Sequence, residues 1–410
     1  MRNNHNPFAD SFAELSGINL LMDDLASGLR DGTIMLGGGN PGFVPQVLRR
    51  LRELLHQSTD ESVKSLLGEY SAPLGDNHFR HALARLLRQI YGWNLSESNI
   101  ALTNGSQAAF FSLFNLLADN GRHIVLPLAP EYIGYARLGL APDLLLSTPS
   151  KRLQTGAQEF IYTPDIDRLD LRRAAAMCVS RPCNPSGKVL TDAELTRLRE
   201  LARDAQIPLI IDNAYGEPFP GILFSETSLP WDDNIILVLS LSKLGLPAAR
   251  TGIVIANADL IARLGRINAI TALAPSATAA RLITPLVESG EIITLSQQAI
   301  RPFYEQRAQA AVAACKQLLE GLPCRLHSIE GGIFLWLWMP NLPVTSYQLY
   351  QRCKERGVIV VPGNYFFPGI TGEPDHQCIR ISYVGDPQQV KRGLELIAQE
   401  IRTAYNEKRP

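Results

Sequence analysis

The chain has 410 residues, 46% of them hydrophobic and 19% charged. That length exceeds one ordinary core, so two domains sharing a cleft are expected. A net charge of -1 lacks the basic excess that phosphate neutralisation needs, which argues against nucleic acid as a partner.

The amino end, Met1-Arg2-Asn3-Asn4-His5-Asn6-Pro7, leads into no apolar stretch of the kind a secretory signal carries. No apolar run reaches the roughly 18 residues needed to span a bilayer. A cytoplasmic protein without membrane partners is expected. Residues 1 to about 30 read as an arm with one amphipathic helix near Leu20-Leu21-Met22-Asp23-Asp24-Leu25. Helical periodicity then predicts helices over 77–91 and 106–117. Short, almost wholly apolar runs at 124–128, 177–180, 209–211, 235–239 and 252–256 each end in turn residues. They read as buried strands with covering helices, an α/β arrangement around a largely parallel sheet. Ligands bind such sheets at the carboxyl ends of the strands. Beyond about residue 285 the texture changes. A helical stretch over 294–319 leads to Ile333-Phe334-Leu335-Trp336-Leu337-Trp338 and a helix over 347–356. Strand-like 358–361 and 378–383 complete what reads as a smaller α+β domain.

The chemically suggestive residues fall at the strand ends. Ile100-Ala101-Leu102 runs through Thr103-Asn104-Gly105-Ser106-Gln107 into a helix. Free N–H groups and a positive dipole end there make a phosphate cradle, although ordinary capping by Asn104 or Ser106 gives the same pattern. Ser180-Arg181-Pro182-Cys183-Asn184-Pro185-Ser186-Gly187 is a turn that places the Asn184 amide at a strand end. Asp212 ends the apolar run Leu209-Ile210-Ile211 and needs a partner; a protonated ring nitrogen or a turn N–H would serve. Tyr215 follows three residues later and could donate to a ring oxygen. Lys243 lies in Ser240-Leu241-Ser242-Lys243-Leu244-Gly245, and Arg250 follows a turn. Burial would lower the lysine's pKa and make its amine nucleophilic, and Arg250 with Ser240 and Ser242 could hold a phosphate. Arg380 inside Cys378-Ile379-Arg380-Ile381 must be compensated. Its fork suits a carboxylate of a substrate or of a salt bridge. The six cysteines are scattered with no Cys-x-x-Cys pair, so reduced thiols and no metal site are expected.

In this order the motifs resemble the fold-type I, pyridoxal-phosphate-dependent aminotransferases (class I/II), from about Leu36 to Tyr383. The resemblance implies that Lys243 carries the cofactor covalently and then shuttles the proton. It implies that Asp212 pairs with the pyridine nitrogen, and that Tyr215 and Asn184 bond the ring oxygen. Gly105, Ser106 and Gln107, with Ser240, Ser242 and Arg250, are expected to bind the phosphate, and Tyr132 to stack on the ring. Arg380 is expected to take the substrate carboxylate, with Gly38 and Gly39 of Gly37-Gly38-Gly39-Asn40-Pro41 against the substrate. Tyr70 matches a tyrosine that reaches the phosphate across a homodimer interface. Ile18, Tyr70 and Tyr132 are candidates for the side-chain pocket. In Pro247-Ala248-Ala249-Arg250 the chain departs from the glycine that often precedes this arginine. The implied partners are small-molecule amino acids and 2-oxo acids. No second arginine is placed by motif, which disfavours dicarboxylic substrates. A lyase or an aromatic transaminase would use the same scaffold. A non-catalytic sensor would need a basic DNA-binding segment, absent from the roughly 30 residues before the matched core. The expected division is an arm with part of the small domain over 1–50, a large cofactor-binding domain over 51–288 and a small C-terminal domain over 289–410.

Overall fold

The computed structural model describes residues 17, 19, 22, 23, 32–118, 121–141, 143–370 and 375–407. Ile18 and most of the helix expected near residues 20–25 lie outside them. In chain order come β1 (Ile34–Met35), α1 (Pro45–His56), α2 (Asp60–Gly68), α3 (Asn77–Tyr91), β2 (Ile100–Thr103), α4 (Ser106–Leu117), β3 (His123–Ala129) and β4 (Leu145–Pro149). A hairpin, β5 (Lys151–Gly156) and β6 (Glu159–Thr163), precedes β7 (Ala174–Ser180), α5 (Asp192–Asp204), β8 (Leu209–Asp212), β9 (Ile235–Ser240) and β10 (Gly252–Ile255). Helices α6 (Ala258–Ala272), α7 (Thr278–Glu288) and α8 (Glu291–Leu295) lead through a π-helical turn, Ser296–Ile300, to α9 (Arg301–Leu318). The remainder is β11 (Arg325–His327), β12 (Phe334–Trp338), α10 (Ser346–Glu355), β13 (Val358–Ile359), β14 (Val361–Pro362), β15 (Cys378–Ser382) and α11 (Pro387–Asn406).

Among the described residues a seven-stranded sheet runs in the order β2-β10-β9-β8-β7-β3-β4. Apart from the edge strand β4, its strands are buried on both faces. Along β9, Ile235, Leu237 and Leu239 join one apolar cluster and Ile236 and Val238 the other. Two-sided burial explains the unbroken apolar runs. The pairs β3–β4, β3–β7, β7–β8 and β8–β9 are parallel, as expected, but β10 is antiparallel to both β2 and β9. The link from Ser240 to Gly252 is too short for the crossover of a dozen or more residues that a parallel return needs. Local signals set the helix ends. Asp76 Oδ1 accepts from Phe79 N at 2.9 Å to start α3, and Gly92 at φ 69° ends it.

The helical stretch expected over 294–319 is interrupted by the π turn. Pro302, in the first turn of α9, has no N–H to donate backward. A second, six-stranded sheet has the order β14-β15-β12-β11-β6-β5. The β5–β6 hairpin, drawn from the middle of the chain, pairs with β11 there rather than with the larger sheet.

Candidate active site

The carboxyl ends of β7, β8 and β9 and the start of α4 open on a cavity of about 310 Å³. Its walls include Gly39, Ser106, Gln107, Tyr132, Asn184, Asp212, Tyr215, Ser240, Ser242, Lys243, Arg250 and Arg380. Gly38, expected at the substrate, does not line the cavity; Tyr70, expected to reach a neighbouring subunit's site and also a side-chain-pocket candidate, is 86% exposed outside its own cavity. Gly105 lies just behind the wall. Asn40, Ser180 and Met22 line it without having been assigned.

At one end sits the start of α4. Gly105, at φ +85°, is its N-cap residue and no side chain caps it. Asn104 instead accepts from Ser276 N at 2.9 Å, so the alternative of capping by Asn104 or Ser106 is not what the chain adopts. The first N–H groups of α4 therefore stay available to an anion. The Arg250 guanidinium packs where a Gly105 side chain would be. Arg250 itself is left-handed at φ 47°, ending the short turn Pro247–Ala249. Such a conformation costs a non-glycine residue roughly 1–2 kcal/mol. The alanines noted before it leave the arginine directed at the cradle.

At the centre, Lys243 Nζ donates to Gly39 O at 2.5 Å and lies 5.4 Å from the Tyr215 ring centroid. Burial first, then the nearby Arg380 charge, pulls its pKa down to about 8. The amine therefore gives up its proton more readily than an ordinary lysine, as a nucleophile or base requires. Across from it Asp212 is pushed up to about 6 by burial, against the bonds that favour its ionised form. Those are Tyr135 Oη donating to Oδ2 at 2.8 Å and Ala214 N donating to Oδ1 at 3.1 Å. The expected partner of Asp212 was a ring nitrogen or a turn N–H; the turn is there, and so is Tyr135, which the sequence reading did not single out. Tyr135 is fully buried, with Phe110, Phe114 and Tyr132 set edge-on around it. Its place in Tyr132-Ile133-Gly134-Tyr135, directly after β3, was the available clue.

At the substrate side Arg380 is buried. Nη1 donates to Asn184 Oδ1 at 2.8 Å and Nη2 to Gly37 O at 2.8 Å, and the guanidinium carbon lies 3.9 Å from the Phe334 ring centroid. Burial lowers its pKa to about 10, so it stays cationic at neutral pH. Because Asn184 gives its oxygen to Arg380, its NH2 group remains for a ligand oxygen. Glu131 also went unnoticed. It is wholly buried, accepts from Ser180 N at 2.9 Å and from Ser180 Oγ, and is raised to about 8 by burial.

Two buried polar atoms here, Gln107 Oε1 and Arg380 Nε, have no hydrogen-bond partner among the described residues. With the uncapped helix start and the Arg250 cation, they fit a phosphorylated cofactor and an anionic substrate group. Among the described residues no cluster of three or more acidic, His or Cys side chains could hold a metal ion.

The class I and II aminotransferase family model matches residues 32–397. The valine--pyruvate aminotransferase of Escherichia coli K12 is 46% identical over 98% of both chains. The crystal structure of a putative amino-acid aminotransferase from Psychrobacter arcticum superposes with a TM-score of 0.94 at 40% identity, covering 98% of this chain and 99% of that one. The valine-pyruvate aminotransferase of Salmonella typhimurium gives 0.87 at 44% identity, covering 95% and 100%. With these matches spanning nearly its whole length, and the lysine, aspartate and arginine of the motifs gathered in one cavity, the chain belongs to the class I and II aminotransferases.

Proposed function

We propose that the protein is a pyridoxal-phosphate-dependent transaminase that moves the amino group of L-valine to pyruvate, giving 3-methyl-2-oxobutanoate and alanine in a ping-pong cycle. The convergence of Lys243, Asp212 and Arg380 on one cavity carries the reaction class. The full-length likeness to valine–pyruvate aminotransferases supports the substrate pair.

When bound, pyridoxal phosphate supplies the electron sink that makes the substrate's α-proton removable. The free N–H groups of α4, with Ser106, Gln107, Ser240, Ser242 and Arg250, hold its phosphate. Asp212 would offer a carboxylate to a protonated ring nitrogen, Tyr215 and Asn184 would bond the ring oxygen, and Tyr132 would cover the ring. Arg380 orients the α-carboxylate against Asn184 and the Gly39 loop. Lys243 Nζ, freed from its covalent role, takes and returns the proton. Its bond to Gly39 O shows how close that loop comes to the amine.

A homodimer is part of this reading. Tyr70 stands outside its own cavity, and other apolar side chains on nearby segments are exposed as well: Leu67 at 75%, Ile270 at 86% and Leu273 at 67%. Ser71 Oγ donates to Pro275 O at 3.0 Å, which brings the two segments together. So broad an apolar patch is expected to be covered, and a second copy would bring Tyr70 to the neighbouring site. We place the domains at 1–50, 51–288 and 289–410, with the β5–β6 hairpin lent to the second sheet, and the protein in the cytoplasm. Among the described residues no helix is long and apolar enough to cross a membrane.

The test is the visible absorption of the purified holoenzyme titrated with L-valine and then with pyruvate. Loss of the band with valine and its return with pyruvate shows both half-reactions. A band that valine leaves untouched removes valine as the donor. Lys243→Ala should abolish turnover while the circular dichroism spectrum stays native, and turnover near wild type in that variant refutes the assignment of Lys243.

A further inference from the structure

A second cavity, of about 510 Å³, lies apart from the catalytic one, between the end of α3, the loop after β8 and the π turn that joins α8 to α9. Three of its charged groups are Arg301, Glu305 and Glu217. Arg301 and Glu305 stand one helical turn apart on α9, where side chains share a face. Yet no ion pair joins them, and neither side chain has a hydrogen-bond partner among the described residues. The contrast with Glu291 on α8 is direct, since Arg50 Nε holds Glu291 Oε1 at 2.8 Å. Glu217 receives only a long bond, 3.3 Å from the Tyr91 hydroxyl. Ile293 and Leu223 supply apolar wall. The π turn contributes Ser296 and Gln297 to the rim, and π turns inside helices are frequent at functional sites.

We infer that this cavity binds a zwitterionic α-amino acid with a small apolar side chain, at a site distinct from the catalytic pocket. An anion alone would meet two carboxylates, and a cation alone would meet the guanidinium. A zwitterion offers a carboxylate to Arg301 and an ammonium to Glu305 and Glu217, and its side chain lies on the Ile293 wall. The cavity volume is ample for such a molecule. Two chain segments link the site to the neighbourhood of the catalytic centre. Glu217 lies two residues beyond Tyr215, and its carbonyl accepts from the Asn213 side chain. Tyr304, between Arg301 and Glu305 on α9, accepts from Gly42 N at 2.8 Å, just past the loop that contacts Lys243. The inference goes beyond the transaminase reading and does not rest on it.

The probe is radiolabelled 1-aminocyclopentane-1-carboxylate, a zwitterion that has no α-hydrogen and so cannot be transaminated. Equilibrium dialysis against the holoenzyme should show saturable binding. Arg301→Gln and Glu305→Gln should each weaken it at least tenfold, and Arg380→Leu should leave it in place. Both altered positions on α9 are only half-buried, so native folding of the variants is expected and is checked by circular dichroism. Absence of saturable binding, binding indifferent to both α9 substitutions, or binding that vanishes with Arg380→Leu overturns the inference.

Discussion

Tyr135 shows what one hydroxyl does for a buried acid. Folding raises Asp212 above its ordinary pKa, so burial favours its protonated form. That preference adds stability fully below the ordinary value, and it is lost as pH rises through about 6. The role proposed for Asp212 needs the opposite form, an ionised carboxylate toward a protonated ring nitrogen. The bond from Tyr135 Oη is the largest of the effects that lower the Asp212 pKa. Removing it in Tyr135→Phe should move the pKa further up. Cofactor uptake by the cofactor-free protein should then fail at a higher pH than in wild type, where the fall is centred near 6. Uptake measured by dialysis across pH checks this, and an unmoved midpoint would remove Tyr135 from the role. Asp212 itself was legible in the sequence because an acid closing an apolar strand demands a partner. Tyr135 and Glu131 were not, because a buried hydroxyl or carboxyl inside a turn looks like any polar loop residue until its partner, far along the chain, is known.

At the level of elements, the proposed phosphate cradle depends on how closely β10 runs beneath the start of α4. A Cβ on Gly252 would stand 2.6 Å from both the Gly105 carbonyl carbon and Ser106 N. Gly252→Ala must therefore push the helix start away, at an overpacking cost of about 1–3 kcal/mol. The expected outcome is a lower midpoint in urea and cofactor affinity reduced at least tenfold. An unchanged affinity would mean that the α4 terminus does not hold the phosphate. Six strands of the large sheet could be read from sequence because burial on both faces leaves an unmixed apolar signature, whereas the edge strand β4, only partly buried, was missed. The β5 strand could not be read either. Lys-Arg-Leu-Gln-Thr-Gly is mostly exposed and polar, and its strand character comes from pairing with β6. The orientation of β10 was likewise invisible in its residues and followed from the length of the link before it.

At the scale of the whole molecule, the apolar surface around Leu67, Tyr70, Ile270 and Leu273 should be covered in solution. Leu67→Asp places a charge in that surface and is expected to shift the sedimentation coefficient from dimer to monomer. Activity should fall with it, since Tyr70 would then be withdrawn from the neighbouring cavity. A wild-type protein that sediments as a monomer would end the dimer reading. The β5–β6 hairpin, finally, bears on how the chain is made. Strand β6 leaves the ribosome about 160 residues before β11, the strand it must pair with. Throughout that interval the nascent chain carries an unpaired β6 edge, the kind of surface that invites association with other chains. Chaperone dependence during synthesis should accordingly centre on this hairpin. Fragments that stop short of β11 should aggregate even where the larger sheet is complete.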